Sequence, residues 1–268
     1  MLKAQKYAIL SFSGGLDSTS LLINLLYNGF NIQCITFDYG QNHLIEIERA
    51  SKNIAYLNKE SFKGRLEHKI VNIKDAFSQK SSSLFKNDKS IPIGHYESDN
   101  MLSTFVPNRN AIFTSIIFSY ALSWSKELGD KKVSISLGCH SGDHAIYPDC
   151  RPEFYKALLK SLRIGNWGSE HILEYMPYIS ASKSAIIKET LPMIKSMGLN
   201  YKEIYKNTNT SYSPDKEGLS PGDTGSDIER ILAFHENGLE DPLKYRGGWG
   251  QALENAIKIE EDYKKTSK

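Results

Sequence analysis

A short run near the start of the chain combines residue types that suit phosphate binding. Ser13-Gly14-Gly15-Leu16-Asp17-Ser18 follows an apolar segment and precedes residues with helical apolar spacing. Two glycines allow a sharp turn and a close approach of the backbone to a ligand. Their N–H groups, together with a helix N-terminus, form a nest for an anion, and the hydroxyls of Ser13 and Ser18 can donate to phosphate oxygens. A capped strand–helix turn without a ligand would use similar residues.

Asp17 is an acidic residue placed beside this anion nest. A carboxylate there is tolerable when a Mg²⁺ ion bridges it to the phosphates. We therefore expect ATP and Mg²⁺ as cofactors. The G-x-x-x-x-G-K-[ST] loop of common ATPases and GTPases does not occur in the sequence.

Further candidate residues lie after predicted strands or at the starts of predicted helices, where ligands of open α/β sheets bind. Arg109 could pair bidentately with a carboxylate or phosphate, or form an exposed ion pair. Lys183 opposes the helix dipole and so favours a nearby anionic ligand, unless it is an ordinary surface lysine. We expect Lys183 to be solvated, so that Lys183→Ala weakens catalysis more than folding.

A second polar group surrounds Tyr147. Asp149 offers a carboxylate to a guanine-like pair of N–H groups, and Arg151 offers a donor to a carbonyl. A structural turn stiffened by neighbouring prolines is the alternative, and Asp143 has the same two interpretations. Cys150 has no evident base partner, which favours a buried thiol over a nucleophile.

Apolar segments alternate between strand-like and helix-like patterns, which predicts parallel strands with crossover helices. Pro192 should kink or shorten the helix predicted at 182–197. Residues 78–101 should form a long surface loop. Residues 246–250 should form a flexible hinge. The predicted strands are 7–12, 32–37, 68–73, 133–138 and 172–176, and the predicted helices are 18–28, 43–57, 110–128, 152–164, 182–197, 226–237 and 251–264.

The composition limits the class of protein. The 268 residues carry a formal net charge of +2, which does not suggest broad nucleic-acid binding. The three cysteines are too few and too scattered for a disulfide framework. Because we find no signal peptide and no apolar run that would span a membrane, we expect a soluble cytoplasmic protein.

The S-G-G-x-D-S pattern resembles the PP-loop superfamily, whose members bind the pyrophosphate of ATP and cleave between the α and β phosphates. Further segments narrow the resemblance to the 7-cyano-7-deazaguanine synthases, the QueC family; they are residues 35–43, 104–110, 142–143, 147–154 and 182–186. It spans roughly Lys6 to Tyr245, and the Y-P-D-C-R-P-E-F run at 147–154 is its most specific part.

This resemblance implies an α/β fold: a Rossmann-like sheet of the adenine nucleotide α-hydrolase type, with about five parallel strands and helices on both faces. Residues 1–206 would form the PP-loop domain, and residues 207–268 a small C-terminal helical appendage.

The implied activity is that of an ATP-dependent C–N ligase of queuosine biosynthesis. It adenylates 7-carboxy-7-deazaguanine or a close analogue, releases pyrophosphate, and forms an amide and then a nitrile with a second ATP. The implied catalytic residues are Asp17, Ser18, Arg109 and Lys183. The implied ATP-binding residues are Ser13, Gly14, Gly15, Leu16, Asp17, Ser18, Phe37, Tyr39 and Gln41, and those for the substrate are Arg109, Asn110, Asp143, Tyr147, Asp149 and Arg151.

The chain departs from the family at a late zinc site made of four cysteines. Ser211, Pro221, Thr224 and Asp227 stand at the cysteine positions, although Tyr212 and Arg230 still match. We therefore expect no zinc, and a loop at 207–225 held by hydrogen bonds, prolines and packing of Tyr212, and more mobile than a zinc-clamped one. The departure suggests a divergent paralogue, of the kind found in anti-phage defence systems and DNA-modification clusters.

Two other functions stay open. The same acyl-adenylate could be joined to a protein amine, with the altered C-terminal region as a partner dock. The chain could instead be a nucleotide-binding sensor or pseudoenzyme without turnover. The amine acceptor, the pathway and the formation of a homodimer are also open.

Overall fold

Five short apolar segments form one parallel sheet in the computed structural model of the protein, which describes residues 5–41, 45–77, 82–85, 94–95, 99–144, 146–211 and 219–266. The strand order is β3-β2-β1-β4-β5, so that β1 lies at the centre between β2 and β4. The predicted parallel sheet is confirmed. The strands are β1 (Lys6–Ser11), β2 (Phe30–Asp38), β3 (Leu66–Asn72), β4 (Val133–Leu137) and β5 (Ile172–Glu174).

Helices cover both faces of this sheet. Successive side chains of a strand point to opposite faces, and in β1 Ala8 and Leu10 pack in one core cluster while Tyr7 and Ile9 pack in the other. The first cluster includes residues of α1 and α5, and the second includes residues of α3. The helices are α1 (Leu16–Tyr27), α2 (Ile45–Leu57), α3 (Arg109–Glu127), α4 (Pro152–Ile164), α5 (Lys183–Ser196), α6 (Tyr201–Lys206), α7 (Gly225–Glu236) and α8 (Gly248–Thr266).

Two expectations were wrong in this part of the chain, and one helix was not predicted. Pro192 does not shorten its helix, because α5 continues to Ser196. The hinge predicted at 246–250 is wrong in its second half, since Gly248–Gly250 form the first residues of α8. Helix α6 was not predicted; its six residues are too few for a clear helical pattern in the sequence.

Part of the predicted surface loop at 78–101 is buried. Ser82, Ser83 and Phe85 are fully buried, and Phe85 forms an isolated antiparallel bridge with Gln41. The ring of Phe85 also packs edge-on against Tyr39. Packing of the Phe85 side chain thus buries this segment although its composition is polar. Most of the remaining loop lies outside the described residues.

The C-terminal helices pack against the sheet domain in sequence. Helix α7 contacts α5, and α8 contacts α7. Ile228, Ile231, Leu243 and Tyr245 form a third core cluster with two alanines of α8. Among the described residues, none of the helices has the length and hydropathy needed to cross a membrane.

Candidate active site

The run at 13–18 lies at the junction between β1 and α1, as predicted. Gly14 has a φ of 81°, and a Cβ there would lie 2.6 Å from the Glu46 carbonyl oxygen, so both the conformation and the contact require glycine. Ser13 Oγ accepts from the Gly15 N–H at 3.2 Å and lies 3.0 Å from Ser18 Oγ. These bonds fix the turn at the N-terminus of α1, whose first N–H groups have no partner within the helix.

The end of β4 closes against the same turn. A Cβ on Gly138 would lie 2.8 Å from the Ser18 nitrogen, so only glycine permits this approach. The residues that follow β4 therefore lie beside the run at 13–18. This is the strand-end position at which open α/β sheets bind ligands.

A cavity of about 210 Å³ lies over the junction. It brings together most of the residues singled out in the sequence, although they come from distant parts of the chain. Those lining it are Ser13, Gly15, Leu16, Asp17, Ser18, Phe37, Tyr39, Gln41, Arg109, Asn110, Asp143, Tyr147 and Lys183.

Three predicted residues do not line this cavity. Gly14 packs against α2. Asp149 is buried and accepts from the backbone N–H of Asn110 at 3.3 Å, and Arg151 Nε donates to the carbonyl of His144 at 2.8 Å. Direct contact of Asp149 or Arg151 with a substrate stays a prediction, and the structure gives both a role in holding neighbouring backbone.

Lys183 lies between two carboxylates at the wall of the cavity. Its Nζ is 2.9 Å from Glu229 Oε2 and 3.3 Å from Asp17 Oδ2, and its side chain is only 4% exposed. The expectation of a solvated lysine is therefore wrong, because burial of α5 against α7 encloses its first residue. Burial lowers the pKa of Lys183, but Asp17 and Glu229 raise it more, so that the net pKa is above its ordinary value.

His140 extends this charged cluster. The Gly142 N–H donates to Nδ1 of His140 at 3.1 Å, so a neutral ring carries its proton on Nε2. Nε2 faces carboxylate oxygens of Asp17 and Asp143, each 3.7 Å away, and Glu229 lies 3.8 Å from Nδ1. Burial lowers the pKa of His140, whereas the three carboxylates raise it, and the net shift is upward.

Aromatic rings form the wall on the β2 side. Phe37 and Phe113 stack with their ring centroids 4.2 Å apart. Tyr39 packs edge-on against Phe113, and the Arg109 guanidinium lies 6.0 Å from the centroid of the Tyr39 ring. Flat apolar faces beside a cation suit a planar heteroaromatic ligand that also carries negative charge.

Glu46 and Asn209 hold the turn at 13–18 in place. The Asn209 N–H donates to the Gly14 carbonyl at 3.0 Å, and its side-chain amide donates to Glu46 Oε1 at 3.2 Å. Burial raises the pKa of Glu46 to about 7, although Asn209, Arg109 and Arg49 lower it. Both residues line the cavity.

Asn110 and Tyr147, two of the residues predicted to bind the substrate, are held by hydrogen bonds to neighbouring segments. The Asn110 side-chain amide donates to the Asp149 carbonyl and to Cys150 Sγ, each at 3.3 Å. Tyr147 Oη lies 2.5 Å from Thr104 Oγ1. Cys150 is buried, as predicted, and hydrogen bonding with Cys139 and burial both raise its thiol pKa.

Sequence reasoning missed several residues of the cavity. The signal for Cys139 and His140 was available, because they directly follow β4 at the carboxyl edge of the sheet. Glu229, which does not line the cavity but pairs with Lys183 at its wall, gave no local signal, since it lies within a helix and meets Lys183 only through the packing of α7 on α5. The other missed residues that line the cavity include Glu46, Phe113, Asn209, Thr210 and Ser226.

Among the described residues, no group of three or more His, Cys, Asp or Glu side chains is arranged to hold a metal ion. Asp17 nevertheless has one buried carboxylate oxygen, Oδ1, without a hydrogen-bond partner in the described part of the chain. A hard oxygen donor beside a phosphate nest fits an ion that phosphate oxygens also ligate.

Comparisons with known proteins place these features in a family. Residues 7–238 match the family described as "Queuosine biosynthesis protein QueC". A relative in Marinomonas sp. (strain MWYL1), "7-cyano-7-deazaguanine synthase", is 40% identical over 89% of this chain and 97% of its own length. In Colwellia psychrerythraea (strain 34H / ATCC BAA-681), "7-cyano-7-deazaguanine synthase 2" is 36% identical over 90% of this chain and 99% of its own length.

Solved structures give weaker likenesses. An NMN synthetase from Francisella tularensis is 14% identical, with a TM-score of 0.41 over 96% of this chain and 87% of that one. A 4-thiouridine synthetase–RNA complex with bound ATP is 16% identical, with a TM-score of 0.40 over 96% of this chain and 53% of that one. Scores this low say nothing about function.

Proposed function

The chain belongs to the QueC family, and on that premise we propose that it adenylates the carboxylate of 7-carboxy-7-deazaguanine, or a close analogue, and converts the product to an amide and a nitrile. The observation that supports this most is the single cavity that joins a phosphate nest, a buried lysine and an aromatic wall. Such a site must hold two anions, a carboxylate and a triphosphate, within reaction distance.

The turn at 13–18 suits the pyrophosphate end of ATP. The N-terminus of α1 and the Ser13 and Ser18 hydroxyls offer donors to phosphate oxygens. A substrate carboxylate oxygen attacks the α-phosphorus, the bond between the α-phosphorus and its bridging oxygen breaks, and pyrophosphate leaves with the electron pair. The turn holds the leaving anion as its charge grows.

Lys183 supplies a fixed positive charge at this reaction. Its ion pairs with Asp17 and Glu229 set the position of its Nζ before any substrate binds. Because the side chain is buried, its charge acts through a medium that screens it less than water does. Lys183 therefore stabilises the transferring phosphoryl group more than a surface lysine could.

The other residues that line the cavity suit planar bases and a carboxylate. Phe37 and Tyr39, expected to bind ATP, offer ring faces together with Phe113 for stacking on the adenine, and Arg109 offers a bidentate partner for the substrate carboxylate. Asn110, Asp143 and Tyr147 also line the cavity, with groups that can pair with polar edges of the deazaguanine.

Mg²⁺ would enter this site with ATP. Asp17 places a buried, unpartnered oxygen beside the phosphate turn, and a divalent cation bound to ATP would meet that oxygen. When bound, the ion neutralises phosphate charge. Asp17 would orient it, and Lys183 would balance the remaining charge of Asp17.

The acyl-adenylate then reacts with an amine. The amine nitrogen attacks the acyl carbon, the carbon–oxygen bond breaks, and AMP leaves while the nitrogen loses a proton. His140, which lines the cavity beside Asp143, is the group placed to hold protons there. Activation of the resulting amide oxygen by a second ATP, followed by loss of AMP and of the amide protons, gives the nitrile.

The test is product identification by mass spectrometry. The protein with ATP, Mg²⁺, ammonium and 7-carboxy-7-deazaguanine should give AMP, pyrophosphate and the 7-amido or 7-cyano base. A covalent deazaguanine on an added protein, with none formed on ammonia, would instead assign a protein amine as acceptor. Binding of ATP with no turnover under either condition would contradict the proposal and favour a nucleotide sensor.

A further inference from the structure

Three of the four positions at which the family resemblance predicts zinc cysteines meet in one buried hydrogen-bond network. Ser211 Oγ donates to Asp227 Oδ2 at 3.1 Å, and Thr224 Oγ1 donates to the same oxygen at 2.7 Å. Ser220, beside Pro221, donates to Asp227 Oδ1 at 2.5 Å. Asp227 is fully buried, so one carboxylate collects donors from all three segments.

These residues do not fit a zinc ion. Zinc sites of this kind need thiolates or imidazoles, and the serine and threonine hydroxyls stay protonated near neutral pH. The hydroxyls of Ser211 and Thr224 already donate hydrogen bonds to Asp227. Pro221 has no side-chain atom that could bind a metal ion. The residues present thus form a bonded unit of their own, and Tyr212 lies outside the described residues.

The network fixes the first turn of α7. Thr224 is the N-cap residue of that helix and also accepts from the Asp227 N–H at 3.4 Å. Arg230 fixes the next turn, with its buried guanidinium paired to Asp241 and donating to Thr208. Two successive turns of α7 are therefore anchored at both sides of Glu229.

Glu229 connects this anchored helix to the phosphate turn. Its Oε2 lies 2.9 Å from Lys183 Nζ, which in turn lies 3.3 Å from Asp17 Oδ2. A Cβ on Gly142 would clash with Glu229 Oε1, so a larger residue there would displace the carboxylate from its present position. The contacts form a continuous path from Asp227 along α7 to Asp17.

We propose that Asp227 is a positioning residue that acts through Glu229: its hydroxyl network sets the place of α7, and Glu229 thereby holds Lys183 against Asp17. The network does with hydrogen bonds what a metal clamp would do for the same three segments. This inference rests on the proposed function only for its kinetic test.

The kinetic test is a double-mutant cycle with Asp227→Asn and Glu229→Gln. Both substitutions keep the size of the side chain and remove its charge. If Asp227 acts through Glu229, Asp227→Asn should lower kcat for pyrophosphate release in the native background and change it little when Glu229→Gln is already present. The KM for ATP should stay within about twofold, because the phosphate turn itself is unchanged.

A pair of serine variants separates positioning from loss of stability. Ser220→Ala removes a buried hydroxyl that donates to Asp227, and Ser125→Ala removes a buried hydroxyl that donates to the Lys131 carbonyl, at the far end of α3. Ser220→Ala should lower kcat by roughly three- to tenfold, while Ser125→Ala should leave kcat unchanged. Equal kcat values for Ser220→Ala and Ser125→Ala would overturn the proposal. So would a double variant in which the fold-losses of kcat from Asp227→Asn and Glu229→Gln multiply, because independent effects would show that Asp227 does not act through Glu229.

Hydrogen exchange reads the positioning without any turnover. Ser220→Ala should speed amide exchange in the first turns of α7 and in the α5 segment that begins at Lys183, and Ser125→Ala should change neither. If Ser220→Ala speeds amide exchange in α7 but not at the start of α5, Asp227 does not position Lys183 and the proposal is overturned. If the native protein releases no pyrophosphate, the proposed function is contradicted. The positioning role of Asp227 is still tested in that case, because hydrogen exchange measures it without turnover.

Discussion

The ammonium of Lys183 lies 2.9 Å from a carboxylate oxygen of Glu229, a residue of a different helix. The contact exists because α7 packs on α5, so the C-terminal part of the chain reaches the cavity, which Ser226 of α7 also lines. Glu229 and Asp17 hold the Lys183 ammonium from two sides, which suits the fixed charge that the proposed function needs.

Replacing Lys183 should damage both catalysis and stability. Lys183→Met leaves the carboxylates of Asp17 and Glu229 close together without a cation between them. We expect the unfolding free energy to fall by about 1–3 kcal/mol. This is less than for a fully buried ion pair, because both carboxylates are partly exposed. Pyrophosphate release should fall by roughly 10²–10³-fold. Urea denaturation and a pyrophosphate assay check the two effects.

The control for this prediction is Lys206→Ala. Lys206 is about half exposed and pairs with Glu203 one turn earlier in α6, so its removal should change stability by less than about 0.5 kcal/mol. Equal losses of unfolding free energy in Lys183→Met and Lys206→Ala would show that the buried ion pairs of Lys183 stabilise the fold no more than an exposed pair does.

Asp17→Asn should abolish pyrophosphate release while the protein stays folded. The amide keeps the shape of the side chain, and Lys183 retains Glu229 as an ion-pair partner. Loss of the anionic oxygen should also weaken the dependence of ATP binding on Mg²⁺. Turnover and calorimetric ATP titrations with and without Mg²⁺ measure this, and a variant with native turnover would remove Asp17 from the machinery.

Glu46 should make stability depend on pH. Burial raises its pKa in the folded protein to about 7, above its ordinary value of 4.5. A carboxyl with a raised pKa stabilises the fold below its unfolded pKa, and this contribution is lost as pH rises through about 7. Glu46→Gln should therefore raise Tm relative to the native protein at pH 8 and change it little at pH 5.

Glu48 is the matched control in the same helix. It is exposed and paired with Lys52, whose hydrogen bond lowers the pKa of Glu48. Glu48→Gln should therefore leave Tm unchanged or slightly lower at pH 8. A pH-independent difference between the Glu46→Gln and native Tm values would contradict the assignment.

The isolated protein should contain no stoichiometric zinc. Ser211 and Thr224 commit their hydroxyl donors to Asp227, and hydroxyls are poor zinc ligands. A strong chelator should therefore leave Tm unchanged. About one tightly held zinc per chain in elemental analysis would refute this account of the region and the role of Asp227 in positioning α7.

The parts that local sequence determines were predicted best. The turn at 13–18 requires glycine and follows an apolar strand, so its place was evident, and the same holds for the segments that follow β2 and β4. The burial of Lys183 was not evident, because it depends on α7 packing over the start of α5. Nor did composition reveal that the polar residues near Asp227 bond to one another in the interior.

The bond that is broken in ATP tests the central claim most directly. With ATP, Mg²⁺ and 7-carboxy-7-deazaguanine, chromatography of the nucleotides should show AMP, with an equal amount of pyrophosphate, and both should depend on the carboxylate substrate. Lys183→Met should reduce the two products together. Formation of ADP and phosphate, or of AMP at the same rate without the carboxylate, would contradict an adenylating enzyme.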